Sequence, residues 1–226
     1  MATGISQLGM LEALARAPGI DWSRVTLFHL DEYIGLPSTH PASFRRYLRE
    51  RFLAHLPAQP RFIAVDGDAP DLAGELTRLN ALLAGRQVDL CFAGIGENGH
   101  LAFNDPPADF ETGDPYIAVT LDQACRRQQL GEGWFPTLDD VPVRAISMSI
   151  RQIMRSQRLL LCASDLRKAQ ALRHAIEGPV VPGCPASIIQ RHPHCTVYLD
   201  PAAASGLRQP SLKIISQRIF GISRDQ

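Results

Sequence analysis

The chain lacks net charge. Its 226 residues carry 23 Lys and Arg against 23 Asp and Glu, so no global field draws it to nucleic acid or to an anionic membrane. Two local basic clusters remain, Arg45-Arg46 through Arg51 and Arg126-Arg127. The first lies on a helix whose other positions are apolar and reads as a solvated face. There is no C-x-x-C pair. Cys91, Cys125, Cys162, Cys184 and Cys195 are scattered, and an odd count argues against a disulfide framework and fits a reducing cytoplasm. No apolar run approaches the ~20 residues of a membrane span, and there is no signal-peptide pattern. Nothing in the composition signals disorder, and the length suits one α/β domain over 1–226.

What is present centres on Gly94-Ile95-Gly96-Glu97-Asn98-Gly99-His100-Leu101-Ala102-Phe103-Asn104-Asp105-Pro106. It follows an apolar run, Val88 to Ala93, that reads as a buried strand. Its glycines let backbone approach a ligand, and His100 carries the one side chain that titrates near neutrality without perturbation. A Gly-rich turn with a histidine packed beneath it is the competing reading.

The rest of the chain supplies partners for that loop. Met1 to Ser6 leads into an apolar-periodic helix through Leu8, Leu11, Leu14 and Ala15, ended by Pro18-Gly19. A small Gly-containing loop feeding a helix offers free N–H groups and a favourable dipole to a phosphate, and an ordinary N-cap at Thr3 or Ser6 competes with that reading. Arg24 to Leu30 reads as a strand delivering Asp31-Glu32-Tyr33 at its carboxyl end, two candidate bases or an Asp31 that caps a turn. A helix is expected from Pro41, a turn-rich connection over Pro57 to Asp71, and an amphipathic helix over Leu72 to Leu83 stopped by Gly85. Residues 109–143 show no periodicity and predict an active-site lid, with disorder as the alternative. Ala145 to Ile150 and Arg158 to Ala163 read as strands. The second runs into Ser164 to Lys168, the N-cap and first turn of a helix that Gly178-Pro179 ends. A short helix over Ala186 to Gln190, a strand over Cys195 to Leu199 and a weakly patterned tail beyond Pro201 complete the chain. His192 and His194 have no partner ligands at helical spacing.

Alternating strands and helices predict a mostly parallel, doubly wound sheet, which binds ligands at the carboxyl ends of its strands. Asp31, the Gly94 to Asp105 loop and Ser164 to Lys168 each follow a predicted strand, so they emerge on one edge. A carboxylate base, a histidine among carboxylates and a lysine for an anion suit proton transfer on a phosphorylated small molecule, with no metal or other cofactor required.

Leu30-Asp31-Glu32-Tyr33-Ile34-Gly35-Leu36, His40-Pro41-Ala42-Ser43-Phe44 and the Gly94 to Pro106 loop resemble the glucosamine-6-phosphate deaminase (isomerase) family. Further matches are Lys168-Ala169, opening a helix that ends Glu177-Gly178, and Pro185 to Pro193. The resemblance implies a modified Rossmann-like fold with helices on both faces of a mostly parallel sheet, shared with 6-phosphogluconolactonases. It implies conversion of glucosamine 6-phosphate and water into fructose 6-phosphate and ammonia, on a small-molecule sugar phosphate with no nucleic acid or membrane partner, by a monomer or homo-oligomer. By position Asp31 resembles the base that moves a proton between C2 and C1, and His100 the residue that assists ring opening. Asn98 and Asp105 fall on the partners of that histidine. Thr3, Gly4 and Lys168 match phosphate-binding positions, with Glu32 and Gly96 also carried over as substrate-binding positions. The family's lid, here around Arg126 to Gln129, often contributes an arginine to the phosphate.

Three departures from the family qualify the resemblance. Asn98 stands where part of the family has aspartate, and Asp105 stands where glutamate is usual. The family's first helix and strand are lacking before Thr3, which predicts a frayed phosphate loop that relies on Lys168 and the lid. Two other functions compete, a 6-phosphogluconolactonase-type hydrolase and a sugar-phosphate binding protein without turnover. Asp31-Glu32-Tyr33 and Phe103-Asn104-Asp105-Pro106 favour the deaminase branch over the lactonase.

Overall fold

A computed structural model describes residues 1–208; the expected weakly patterned tail lies, from residue 209 on, outside the described residues. In chain order its regular elements are α1 (Leu8–Ala15), β1 (Thr26–Phe28), β2 (Asp31–Tyr33), α2 (Phe44–Arg51), β3 (Arg61–Ile63), α3 (Leu72–Leu83), β4 (Leu90–Ala93), β5 (Tyr116–Thr120), α4 (Gln123–Gly131), β6 (Arg144–Met148), α5 (Ile150–Met154), β7 (Arg158–Ala163), α6 (Ala169–Glu177) and β8 (Cys195–Leu199). Short 3-10 turns at Ile5–Gln7, Leu166–Lys168 and Pro185–Arg191 join them.

The pairings are parallel between β1 and β3, β4 and β7, and β7 and β8; β2, β6 and β5 form an antiparallel three-stranded addition. Side chains of β4 alternate as the pleat requires. Cys91 and Ala93 face a core shared with Leu79 and Leu83 of α3, Ile153 of α5 and Leu172 of α6, whereas Phe92 packs on the opposite side with Leu11 of α1 and Tyr47 and Leu48 of α2. Helices therefore cover both faces. A third cluster of Tyr33, Phe44, Phe103 and Phe135 ties the antiparallel strands to the chain after α4, with Tyr33 5.1 Å from both the Phe44 and Phe103 rings.

Five expectations need correction. The strand read over Arg24 to Leu30 is the shorter β1, and Asp31-Glu32-Tyr33, read as lying past its end, form a second strand. At Leu30 the backbone changes partner, its carbonyl accepting from Met148 N at 2.7 Å, so Asp31 opens an antiparallel strand opposite Ser147. The helix read from Pro41 starts at Phe44, where Ser43 is the N-cap and its hydroxyl accepts from Arg46 N. The turn-rich stretch from Pro57 contains β3, and the aperiodic 109–143 segment contains β5 and α4, the latter capped by Asp122. Finally, the Thr3-Gly4 loop is anchored, not frayed. Ala2 N donates to Phe92 O at 3.0 Å and Leu30 N to Met1 O at 3.2 Å, so residues 1–2 lie between β1 and β4 and bond to both sides, buried among core side chains.

Candidate active site

The carboxyl ends of β1, β4 and β7 converge on one pocket of about 530 Å³, including its part open to solvent. It is lined by the 2–7 segment, Asp31, Gly94 to Gly96, His100, Lys168 and residues of α4. Thr3, Gly4, Asp31, Gly96, His100 and Lys168 thus meet as expected, while Asn98 and Asp105 stand behind His100 and Glu32 points elsewhere.

Asp31 is 6% exposed, and its Oδ1 is buried without a hydrogen-bond partner. Burial, and then the neighbouring Glu32 carboxylate, raise its pKa from 3.8 to about 7, against the opposing pull of His100. A carboxylate held dry and free at a pocket wall is a base without a local acid to satisfy it.

Glu32 faces the other way, because neighbouring residues of a strand project to opposite sides. Its carboxylate accepts from Ser43 Oγ at 2.8 Å, Arg45 N at 2.8 Å and Phe44 N at 3.2 Å, at the start of α2, where a negative charge meets free N–H groups. Arg45, itself buried, adds its Nε at 3.3 Å and reaches Asp68 at 2.8 Å with its Nη2. Glu32 is therefore a structural anchor and not a pocket residue. Replacing it with Gln should cost about 1.5–3 kcal/mol of stability, the scale of hydrogen bonds to a charged group. Chemical denaturation would check this, with substrate affinity expected to change little.

The His100 ring is placed by the glycines before it. Gly96 N donates to His100 O at 3.0 Å, and a Cβ on Gly96 would overlap the imidazole, so only glycine leaves room for the ring. Asn98 acts on the backbone side, its Oδ1 accepting from His100 N at 3.1 Å. Its amide also bridges two acids, donating to Asp105 Oδ1 at 2.9 Å and Asp122 Oδ2 at 3.0 Å. His100 Nδ1 lies 3.2 Å from Asp105 Oδ1, within ion-pair reach although outside hydrogen-bond geometry. Asp105 also accepts from Asp122 N at 2.9 Å. Burial pushes its carboxyl up, but His100, Asn98 and the Asp122 amide outweigh that and hold it below the ordinary value. The shorter Asp105 arm thus still reaches the histidine. Asn104, buried beneath, fastens the loop by donating to Leu101 O and Met148 O, each at 2.8 Å. Ala102, on the pocket wall, is held in the left-handed region at φ 50°.

In the same pocket Lys168, the only lysine among the described residues, is 9% exposed and donates from Nζ to Ser6 Oγ at 3.1 Å. Burial lowers its pKa, while Glu132 and Glu97 oppose that. Gly4, at φ 103°, precedes the 3-10 turn Ile5–Gln7 and faces the same space. A cation, a hydroxyl and a glycine loop here make an anion seat. The arginine expected from the lid does not join them. Arg126 donates to Val141 O at 3.2 Å and Leu138 O at 2.6 Å, and Arg127 to Gln123 at 2.8 Å.

Sequence reading misses Gln128 and Glu132 as pocket residues and gives Gln129 no role, yet α4 and the turn after it bring all three to the pocket. Gln128 accepts from Glu97 N at 2.9 Å and donates to Glu132 at 2.9 Å; Gln129 accepts from Tyr33 Oη at 2.8 Å. Two adjacent amides on a helix that must pack inward are the available signal. His192 is structural, its Nε2 2.9 Å from Ser156 O. The group with metal-ligand potential among the described residues is His100, Asp105 and Cys125.

Comparison with known proteins places this geometry. The sequence family described as glucosamine-6-phosphate isomerases/6-phosphogluconolactonase matches residues 3–198. Glucosamine-6-phosphate deaminases of Bacillus thuringiensis (strain Al Hakam) and Bacillus anthracis (strain CDC 684 / NRRL 3495) are each 39% identical over 223 residues, 99% of this chain and 82% of theirs. The structure of a monomeric glucosamine-6-phosphate deaminase superposes with a TM-score of 0.84 at 36% identity, over 92% of this chain and 86% of that one. A 6-phosphogluconolactonase from Thermotoga maritima gives 0.67 at 19% identity, over 87% and 81% respectively, a likeness of fold alone. The matched span contains every pocket-lining side chain described above from Thr3 to Lys168, and on that basis the chain belongs to the glucosamine-6-phosphate isomerase/6-phosphogluconolactonase family.

Proposed function

We propose that the chain converts glucosamine 6-phosphate and water into fructose 6-phosphate and ammonia. The observation that carries this is the unpartnered Asp31 Oδ1 in the same pocket as His100 and Lys168. The phosphate sits against Thr3, Gly4, Ser6 and Lys168, which orients the sugar toward Asp31. His100, steadied by Asn98 and Asp105, passes the ring-oxygen proton as the sugar opens. Asp31 takes the C2 proton and returns it to C1, so it ends the isomerisation as it began. Water then replaces the amine at C2, and ammonia leaves. No step requires a cofactor. The 109–143 segment serves as the cover of the site, through Gln128, Gln129 and Glu132. Substrate is a small sugar phosphate, and the working unit is a monomer or a homo-oligomer; among the described residues no helix is long and apolar enough to cross a membrane. The free cysteines suit a cytoplasmic setting.

Ammonia release from glucosamine 6-phosphate, measured beside hydrolysis of 6-phosphogluconolactone, tests the reading. Turnover of the lactone alone would replace it with the hydrolase. Lys168→Met should raise KM by about 10–100-fold, the scale of a lost charge-assisted hydrogen bond, with kcat changed far less. An unchanged KM would remove Lys168 from the phosphate seat.

A further inference from the structure

Behind the His100 ring three donors of different chemistry meet. A His100 ring nitrogen, an Asp105 carboxylate oxygen and Cys125 Sγ all lie within 4.8 Å of one another, with His100 Nδ1 3.2 Å from Asp105 Oδ1. Neither Asp105 nor Cys125 lines the pocket, so the cluster is reached past the imidazole that does. Cys125 is fully buried, His100 is 7% exposed, and His100 Nδ1 has no hydrogen-bond partner. Cys125 packs beside Tyr33 and Phe135, and its thiol interacts with the Asp105 carboxylate.

The geometry fits a tetrahedral cation. Zn–N near 2.0 Å and Zn–S near 2.3 Å put ligand atoms roughly 3.3–3.6 Å apart. The His100 to Asp105 separation of 3.2 Å is already there, and Cys125 Sγ lies within 4.8 Å of both ligand atoms. A nitrogen, a sulfur and one oxygen select a zinc-class ion over magnesium or calcium, which take oxygen shells. The charges also close. Asp105 and a Cys125 thiolate balance the two positive charges of the ion, with neutral imidazole as third ligand and water as fourth, so the buried site carries no net charge. Supporting bonds are in place too. Asn98 and the Asp122 amide hold Asp105, and Asp122 Oδ1 accepts from Cys125 N at 2.6 Å, fixing the residue that bears the thiol.

We propose that His100, Asp105 and Cys125 bind one zinc-class cation, and that its occupancy inhibits the enzyme by immobilising His100. Binding exchanges the S–H bond for a sulfur–metal bond and releases that proton to solvent; no electron is transferred. The inhibition rests on the function proposed above, whereas the binding does not.

The test is a Co²⁺ titration of the full chain after chelator treatment. One equivalent should bind with sulfur-to-cobalt charge-transfer absorption and tetrahedral visible bands, displaced by Zn²⁺. Ammonia release should fall as Zn²⁺ binds and return with EDTA. In Cys125→Ser the charge-transfer absorption should vanish, and the Zn²⁺ needed for half-inhibition of the variant's own metal-free rate should rise by about tenfold or more. Cys125→Ala gives a second variant, with thermal unfolding to show that each folds, and His100→Gln should weaken Co²⁺ uptake by a similar factor. Unaltered sulfur-to-cobalt absorption in Cys125→Ser, unweakened uptake by His100→Gln, or no uptake by the parent chain would each overturn the site. Stoichiometric binding in a chain that releases no ammonia would uphold the site and sink the deaminase reading.

Discussion

Replacing Asp31 with Asn is expected to lower turnover by about 10²–10⁴-fold, the range that a positioned general base supplies, while sugar-phosphate affinity changes little. The carboxamide keeps the shape and loses the basicity. Because burial and Glu32 hold the Asp31 pKa at about 7, the parent's kcat/KM should fall as pH drops through that value, and this limb should be missing from the residual rate of the variant. Stability should respond in the opposite sense. A carboxyl whose folded-state pKa lies above its unfolded value of 3.8 contributes stability that is complete below pH 3.8 and lost as pH rises through about 7. Above that pH the folded parent holds a buried charge that the neutral amide of Asp31→Asn does not carry. The variant should therefore gain more melting temperature over the parent at pH 8 than at pH 5. Calorimetry of substrate binding, ammonia release and thermal scans at both pH values check the set. Turnover within a few-fold of the parent would show that Asp31 is not the base.

What is legible in the sequence, and what is not, follows the range of the forces involved. The Leu72–Leu83 and Arg158–Ala163 elements can be read to the residue because amphipathic spacing and an apolar run are local signals. The convergence of Asp31, the Gly94 to Asp105 loop and Lys168 is also legible, since strand-ending loops of a parallel sheet must share an edge. The errors arise where tertiary partners decide. β3 is three residues long and is a strand only because it pairs with β1; β5 and α4 are held by β6 and by the aromatic cluster around Tyr33. Glu32 passes for a substrate-binding position as long as Asp31-Glu32 reads as the stretch just past a strand. Once those residues are a strand paired with β6, the two side chains must part, one into the pocket and one to the head of α2. Asn98 reads as a partner of the imidazole, and its actual bonds, to the His100 backbone and to two carboxylates, depend on where Asp122 arrives from a distant segment.

Gly96→Ala should be nearly as damaging as loss of the base, through a single methyl group. At Gly96 the added Cβ would meet the Cε1, Nδ1 and Nε2 atoms of His100, and backbone bonds on both sides limit retreat, Gly96 N donating to His100 O and Gly99 N to Gly96 O, each at 3.0 Å. The ring must therefore turn off its position beside Asp105 or push the loop away from β4. A displacement on the order of 1 Å at a reacting group costs about 10²-fold in rate, and overpacking of this kind costs about 1–3 kcal/mol in stability. Gly99→Ala is the informative comparison. Gly99 has φ 84°, and its Cβ would approach the Cys184 sulfur at 3.2 Å, so that change strains the backbone without entering the imidazole's space. Both variants should lose melting temperature, but the loss of ammonia release at a temperature where both are folded should be much larger for Gly96→Ala. The imidazole proton resonances of His100 should also shift in Gly96→Ala and hold in Gly99→Ala. Equal rates for the two variants would mean that the position of the His100 ring does not set turnover.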